Sequence, residues 1–535
     1  MVLDTTVLQV LADTRCADHV IRLTEEAAAI HPDTNTIEMS EVFLHEWVHY
    51  FQFSGTVCGI MLSQYRRNCF TSLKSSLAGS GQRETVADDH LLEPFFNGLA
   101  SFRGYWEAWP DDWYKVESAG RRDVREVRLR GDALQVTLED SALTFTLPIG
   151  LHAVFEAHAW CAARLSQADQ PIPRGADSLV YTWPLWLRAV ATGVNIDELP
   201  GEEIGGVLPL LLIACNYDYR LMPQKVEAFP DEFLELWDEL TRRKVTVGRL
   251  VFQVFSDYER FWKNPLSMAG VDAYLSGIGL PPLSRMLEQA AKVLEVPLRG
   301  HLRDLADLPK NTFRENLVLA DDIFVEIDLL RTSIANLHTI QAMGDHALAS
   351  PIFLCRDLVP VVCAMEKTEG YQWFSITPFT DVPSERWGVQ GSRVILREQL
   401  SISEHVLMQV AFGANLACYG SFDWRRPIDP CPMAEECMNR PDKRGISFCE
   451  EPAWRRLIAV HVSGVFNIAL DSAEAPEGLI PGIGEAMREA QAVLRGELPA
   501  VDPTPIDYGA LGLGAYVNAL RGDMEPPTER PHTQE

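Results

Sequence analysis

One stretch near the N-terminus repeats apolar residues with helical spacing. Its apolar positions follow i, i+3, i+4 and i+7 and are occupied by Leu44, Trp47, Val48 and Phe51. This is the pattern of a helix that buries one face. His45 and His49 lie four residues apart in the same stretch, so they project from a common face roughly opposite the apolar stripe. The pattern predicts a helix between the core and a cavity, ending near Gly55.

The rest of the chain alternates between strand-like and helix-like patterns. A short strand is predicted at 19–23, a Ser- and Gly-rich surface loop at 71–82, and a three-stranded antiparallel meander at 124–129, 133–138 and 143–147. A helix over 151–165 follows the meander directly. Helical spacing then predominates, with helices predicted at 181–192, 203–215, 231–242, 283–294, 321–342 and 484–494. The fold class is therefore predicted as mainly α (α+β), with a small antiparallel β meander and a large helical C-terminal region.

A chain of 535 residues exceeds what one compact core usually holds, so several domains are expected. The predicted divisions are a metal-binding domain at 1–230, in which about 120–150 form an inserted meander, and a helical region at 231–350. A C-terminal α+β region at 351–520 and a disordered tail at 521–535 complete the prediction.

The paired histidines belong to the sequence HEWVH, a match to the zinc-binding pattern H-E-x-x-H. Imidazoles four residues apart on a helix can hold one tetrahedral Zn²⁺ between them. Glu46 follows the first histidine, where its carboxylate can reach a water on the metal without binding the metal itself. That is the position of a general base.

The third ligand has to come from elsewhere in the chain. Glu156 is the only acid on an otherwise apolar helix and shares a face with Ala159 and Ala163, small residues that permit close packing. The acidic segment that contains Glu84, Asp88 and Glu93 supplies alternative ligands. His152 lies on the same side as Glu156 and is predicted to donate to an oxyanion, whereas His158 points elsewhere and is predicted to be a packing residue.

The amino-acid composition indicates which binding partners and which cellular compartment to expect. The excess of 75 Asp+Glu over 47 Lys+Arg gives a formal charge of −28, which disfavours nucleic acid and anionic membranes as partners. The N-terminus shows no secretory signal pattern, so a cytoplasmic location is expected.

Eleven cysteines fit free thiols or a metal site better than a disulfide framework. Cys431, Cys437 and Cys449 either hold a structural zinc, with Cys418 just before them, or are free thiols.

Taken together, HEWVH on an amphipathic helix and the later E-A-x-A helix resemble the HExxH zinc metallopeptidases whose third ligand is a Glu. More narrowly, His45-Glu46-x-x-His49-Tyr50-x-Gln52 resembles bacterial proteins with an HEYxHxxQ-type core. The chain lacks the third His and the short-range N-E-x-x-D helix of other branches. The resemblance implies zincin-like metal-binding helices, a Zn²⁺ cofactor and a protein or peptide substrate hydrolysed with Glu46 as general base.

Two other classes of function stay open on the sequence. In the first, the chain is a non-catalytic interaction or regulatory protein that the metal only stabilises. In the second, it is a helical protein without any metal. Replacement of Glu46 by Gln should abolish turnover in an enzyme but leave an interaction protein unaffected. Metal analysis of the purified chain shows whether it holds a metal at all.

Overall fold

The structure is a computed structural model. The described residues are 12–14, 19–23, 30–31, 36–37, 41–80, 97–98, 101, 123–130, 133–139, 144–165, 172–173, 175–199, 202–221, 229–257, 267–307, 317–349, 358–359, 361–367, 370–376, 397, 400, 483–495 and 497.

Helices dominate these residues, which confirms the predicted mainly α (α+β) class. They are α1 (Glu41–Gly55), α2 (Val57–Ser80), α3 (Leu151–Arg164), α4 (Leu179–Thr192), α5 (Glu202–Ala214), α6 (Asp231–Arg243), α7 (Val247–Ser256), α8 (Met268–Gly277), α9 (Leu283–Asp307), α10 (Leu317–Met343), α11 (Asp345–Ala349) and α12 (Ile483–Leu494). Among the described helices, none has an apolar stretch that would cross a lipid bilayer.

The strands form three separate sheets in the described residues. They are β1 (Ala12–Thr14), β2 (Val20–Leu23), β3 (Ile30–His31), β4 (Thr36–Ile37), β5 (Val124–Arg130), β6 (Ala133–Leu138), β7 (Thr144–Pro148), β8 (Val361–Lys367) and β9 (Gly370–Ile376). The predicted meander is present as the antiparallel sheet β5-β6-β7, and β3 pairs with β4. A four-stranded sheet has the order β1-β2-β8-β9, in which β2 and β8 run parallel.

Helix α1 occupies the middle of the hydrophobic core. Its predicted apolar stripe is buried, with Trp47 1% and Phe51 0% exposed, because α1 packs against α2, α3 and α10 while β1 and β2 lie alongside it. The helix ends at Gly55, as predicted. A Cβ on Gly55 would lie 2.6 Å from Cδ1 of Ile340, so any larger residue here would require the Ile340 side chain on α10 to shift.

Hydrogen bonds that involve side chains fix the junction between α1 and α2. Thr56 Oγ1 donates to the backbone oxygen of Gln52 at 2.7 Å, and the backbone N–H of Val57 donates to Oδ1 of Asn216 at 2.8 Å. A Cβ on Gly59 would lie 2.1 Å from the same Gln52 oxygen, which explains a glycine in the first turn of α2. The last turn of α1, including Gln52, is therefore held in one place.

One expectation about secondary structure fails, and two strands were not foreseen. The predicted loop at 71–82 is wrong, because α2 continues as a helix to Ser80. Serine lowers helix propensity by only a few tenths of a kcal/mol, and burial of Phe70 and Leu73 on one face outweighs that loss. Strands β8 and β9 were not predicted, since Val361–Lys367 and Gly370–Ile376 do not alternate regularly between apolar and polar residues.

Asn336 joins α1 to α10 through a buried polar network. Its Nδ2 donates to Oγ of Ser54 at 2.9 Å, and its Oδ1 accepts from the backbone N–H of Val359 at 3.0 Å. The hydroxyl of Tyr50 donates to the backbone oxygen of Val359 at 2.8 Å. One fully buried amide thus fixes α1 against the segment that leads into β8.

We expect Asn336→Ala to lower the free energy of unfolding by about 2–4 kcal/mol, because it leaves buried partners unsatisfied and opens a cavity. Chemical denaturation of the full chain measures the loss. His338→Ala, an exposed change on the same helix, is the control and should stay within about 0.5 kcal/mol of the unsubstituted chain. Equal stability of the two variants would contradict the role of the network.

Candidate metal centre

His45 and His49 project from the same side of α1, as the four-residue spacing requires. Their Nε2 atoms lie 3.1 Å apart, and the rings meet edge to face with centroids 4.7 Å apart. Both Nε2 atoms also face the same carboxylate oxygen. The two histidines therefore present converging nitrogen atoms instead of packing separately into the core.

Glu156 supplies that oxygen from α3. Its Oε2 lies 3.2 Å from Nε2 of His45 and 3.5 Å from Nε2 of His49. Close packing of α3 on α1 brings the carboxylate across a sequence separation of 111 residues. The structure thus places the predicted ligands His45, His49 and Glu156 in one group, with ligand atoms all within 4.8 Å of one another.

The spacing of these atoms fits a metal ion. Bonds of about 2.0–2.1 Å in a tetrahedral zinc site place ligand atoms about 3.3–3.4 Å apart. The three separations here are 3.1, 3.2 and 3.5 Å, close to that value without any movement. The side chains of His45 and Glu156 are 16% and 17% exposed, so the group is accessible from one side.

The charges of the group also favour a cation. Burial lowers the pKa of His49, but the charge and hydrogen bond of Glu156 outweigh it and raise the pKa to about 9. Burial raises the pKa of Glu156, yet His49 and the neighbouring histidines hold it well below its usual value. Without a metal, a proton on His49 balances the carboxylate. A bound metal ion has to displace that proton.

Glu46, the predicted general base, lies beside this group on α1. It is only 7% exposed, and its negative charge contributes to the raised pKa of His49. Thr14 Oγ1 in β1 donates to the backbone oxygen of Glu46 at 3.0 Å. The sheet edge therefore fixes the backbone that carries this carboxylate.

His152 contacts the other oxygen of Glu156. Its Nε2 lies 3.2 Å from Oε1, and its side chain is 26% exposed. This contact holds Oε1 on one side and leaves Oε2 directed at His45 and His49. Donation by His152 to an oxyanion stays a prediction, because the contact seen in the structure is with Glu156.

The structure adds residues that the sequence did not assign to the site. Gln52 lies behind His49, with its Oε1 2.8 Å from Nδ1 of that ring. Tyr181 of α4 meets the His45 ring edge to face, with centroids 5.8 Å apart. The HExxHxxQ spacing was a signal for Gln52, whereas no local pattern marks Tyr181. His158 is fully buried, as expected of a packing residue, but Nε2 of Gln52 also lies 3.1 Å from its Nδ1.

Several predicted candidates fall outside the described residues. They include the alternative ligands Glu84, Asp88 and Glu93 and the cysteine cluster of Cys418, Cys431, Cys437 and Cys449. Both therefore stay predictions, as do the domain boundaries and the tail.

We expect His158 to make the fold sensitive to acid. Burial, and to a smaller extent the charge of His49, lower the pKa of His158 to about 3 from 6.5. Between these values the unfolded chain binds a proton that the folded chain does not. The free energy of unfolding should therefore fall as the pH falls from about 6.5 to 3, by at most about 1.4 kcal/mol per pH unit from this group.

The measurement is the pH dependence of chemical denaturation of His158→Gln, which cannot titrate. Its acid slope should be shallower than that of the unsubstituted chain. His338→Gln, at an exposed position, should leave the slope unchanged. Identical slopes for all three chains would show that His158 is not neutral and buried.

The chain was compared with protein families, curated proteins and solved structures. No protein-family model, no curated protein and no solved structure matches it. The geometry of His45, His49, Glu46 and Glu156 is therefore the basis on which a function is proposed.

Proposed function

We propose that the chain is a zinc-dependent hydrolase that cleaves peptide bonds. The observation that carries the proposal is the triangle of His45 Nε2, His49 Nε2 and Glu156 Oε2, with edges of 3.1, 3.2 and 3.5 Å. Two imidazoles and one Glu form the ligand set of several zinc peptidases. Glu46, next to the first histidine, completes the residue types that this chemistry needs.

A zinc ion held by these ligands would supply a Lewis acid that polarises a carbonyl and acidifies water. The protein side of the reaction falls to Glu46. Its carboxylate is attached to the same helix turn as His45 and is mostly shielded from solvent. In this proposal it takes a proton from water and returns it to the leaving amine.

His152 has a supporting role in this proposal. Its contact with Glu156 Oε1 restrains the carboxylate so that Oε2 is the oxygen presented to the metal. Hydrogen-bonded partners of this kind orient metal ligands in many sites. A partly exposed ring at the edge of the group can also donate to a developing oxyanion, as the sequence suggested.

The peptide substrate and the compartment are part of the proposal. The resemblance to HExxH metallopeptidases supports a peptide, and the net charge of −28 makes nucleic acid an unfavourable partner. The cysteines that the structure describes, Cys58, Cys69, Cys161, Cys215 and Cys363, are free thiols. Free thiols fit the reducing cytoplasm.

The test is cleavage of peptides by the full chain. The zinc-loaded protein is incubated with a complex mixture of unfolded peptides, and new N-termini are identified by mass spectrometry. New termini should appear with zinc and disappear after treatment with a chelator. Absence of new termini from a chain that demonstrably holds zinc would overturn the hydrolase proposal.

A further inference from the structure

Gln52 sits between the two helices that carry the candidate ligands. It is fully buried in the last turn of α1. Its Nε2 lies 2.9 Å from the backbone oxygen of Phe155 and 3.1 Å from Nδ1 of His158, both on α3. Its Oε1 lies 2.8 Å from Nδ1 of His49. One amide therefore contacts both halves of the metal centre.

The orientation of this amide follows from chemistry. A backbone oxygen can only accept hydrogen bonds, so the Gln52 atom facing Phe155 has to be the NH₂ group. The same group then donates its second hydrogen to Nδ1 of His158. The Gln52 oxygen is left facing His49, where it can only accept.

The tautomer of His49 follows in turn. Because the Gln52 oxygen only accepts, Nδ1 of His49 has to carry a hydrogen. In a neutral ring the other nitrogen, Nε2, then has a free lone pair. That nitrogen is the one that faces His45 and Glu156, at 3.1 and 3.5 Å.

The tautomer of His158, at the other end of this series of hydrogen bonds, is also fixed. His158 accepts at Nδ1, so its neutral ring carries its hydrogen on Nε2. Among the described residues that buried Nε2 has no hydrogen-bond partner. A ring that tolerates this cost in a fully buried position indicates that its acceptor contact with Gln52 determines its placement.

Gln52 also couples the positions of two ligands. Its acceptors at Phe155 and His158 flank Glu156 along α3, while its oxygen holds His49 on α1. Rotation of the amide would break all these hydrogen bonds at once in a site without exposed surface. The spacing between the His49 ring and Glu156 therefore depends on these hydrogen bonds as well as on the packing of α3 against α1.

We propose that Gln52 is a positioning residue that fixes His49 in the metal-binding tautomer and clamps its ring against the helix that carries Glu156. The inference rests on the proposed metal site. It assigns Gln52 no contact with substrate.

The first experiment measures zinc affinity by competition with a chromophoric chelator. Gln52→Met keeps the size of the side chain but removes its hydrogen bonds, and we expect zinc affinity to fall by about 10–100-fold, as for other residues that orient ligands. Gln289→Met changes another buried glutamine and should leave the affinity unchanged. Equal affinity in the Gln52→Met chain would overturn the proposal.

The second experiment needs no variant and reports on the tautomer directly. In the zinc-loaded full chain labelled with ¹⁵N-histidine, the Nδ1 signal of His49 should be that of a protonated nitrogen and the Nε2 signal that of a metal-bound one. A zinc-loaded chain in which His49 binds through Nδ1 would contradict the inference. The signal requires bound zinc but no peptide cleavage, so the inference about Gln52 and the hydrolase proposal fail separately.

Discussion

Glu156→Gln should abolish tight zinc binding. The substitution keeps the shape of the side chain but replaces the carboxylate whose Oε2 faces His45 and His49 with a neutral amide. Structural zinc sites bind with about 10–16 kcal/mol in total, so one of their ligands accounts for about 3–4 kcal/mol, or about 100–1,000-fold in affinity. Titration of the metal-free chain with zinc measures the loss.

The matched control is Glu235→Gln, the same chemical change at an exposed position of α6. It should bind zinc as the unsubstituted chain does. Circular dichroism of both variants checks that the helices are retained. If Glu156→Gln bound zinc with undiminished affinity, the third ligand would have to come from another part of the chain, such as the segment with Glu84, Asp88 and Glu93.

The second large effect concerns catalysis without loss of metal. Glu46→Gln should leave zinc affinity within a few-fold, because Glu46 is not one of the grouped ligand atoms. Peptide cleavage should fall by at least about 100-fold, since general-base catalysis typically contributes 10²–10⁴-fold. Counting new N-termini at equal zinc occupancy measures the effect, with Glu235→Gln again as the control.

This variant also separates the proposed enzyme from an interaction protein. A chain that uses zinc only to stabilise a binding surface would keep every function after Glu46→Gln. Unchanged cleavage by the variant would remove Glu46 from the mechanism. Loss of both zinc and cleavage would instead indicate that the carboxylate is needed to build the site.

The first half of the site was predictable from the sequence because its signals are local. The stripe that includes Trp47 and Phe51 fixes which face of α1 is buried, and the spacing of His45 and His49 then fixes the opposite face. Glu156 was accessible to a similar argument, since a lone acid among buried alanines on an apolar helix needs a cationic partner. Its distance from His49 nevertheless depends on how two helices pack.

The remaining features depend on contacts between distant segments. β2 pairs with β8 and Asn336 bonds to Ser54 across most of the described chain, and neither contact leaves a periodic signal. The hydrogen bonds of Gln52 were hidden for the same reason, although the residue stood in the motif itself. Helix α2 shows the converse case, in which burial of Leu73 overrides a local composition that favours a loop.

The same three ligands fit one other kind of metal site, and the identity of the bound metal distinguishes the two. Two histidines and one carboxylate also bind iron(II) in a class of oxygenases. The 3.1, 3.2 and 3.5 Å separations of the ligand atoms average close to the tetrahedral value expected for zinc. Glu46 has a role only if the chain is a hydrolase. Experiments therefore have to identify the metal and test Glu46 as the general base.

The most direct test of the central claim is X-ray absorption spectroscopy at the zinc edge, with metal content measured on the same purified full chain. We predict about one zinc per chain with nitrogen and oxygen neighbours at about 2.0–2.2 Å, including imidazole. Iron in place of zinc, or no bound metal after incubation with zinc, would contradict the account. Sulfur neighbours at about 2.3 Å would place the metal at cysteines instead of His45, His49 and Glu156.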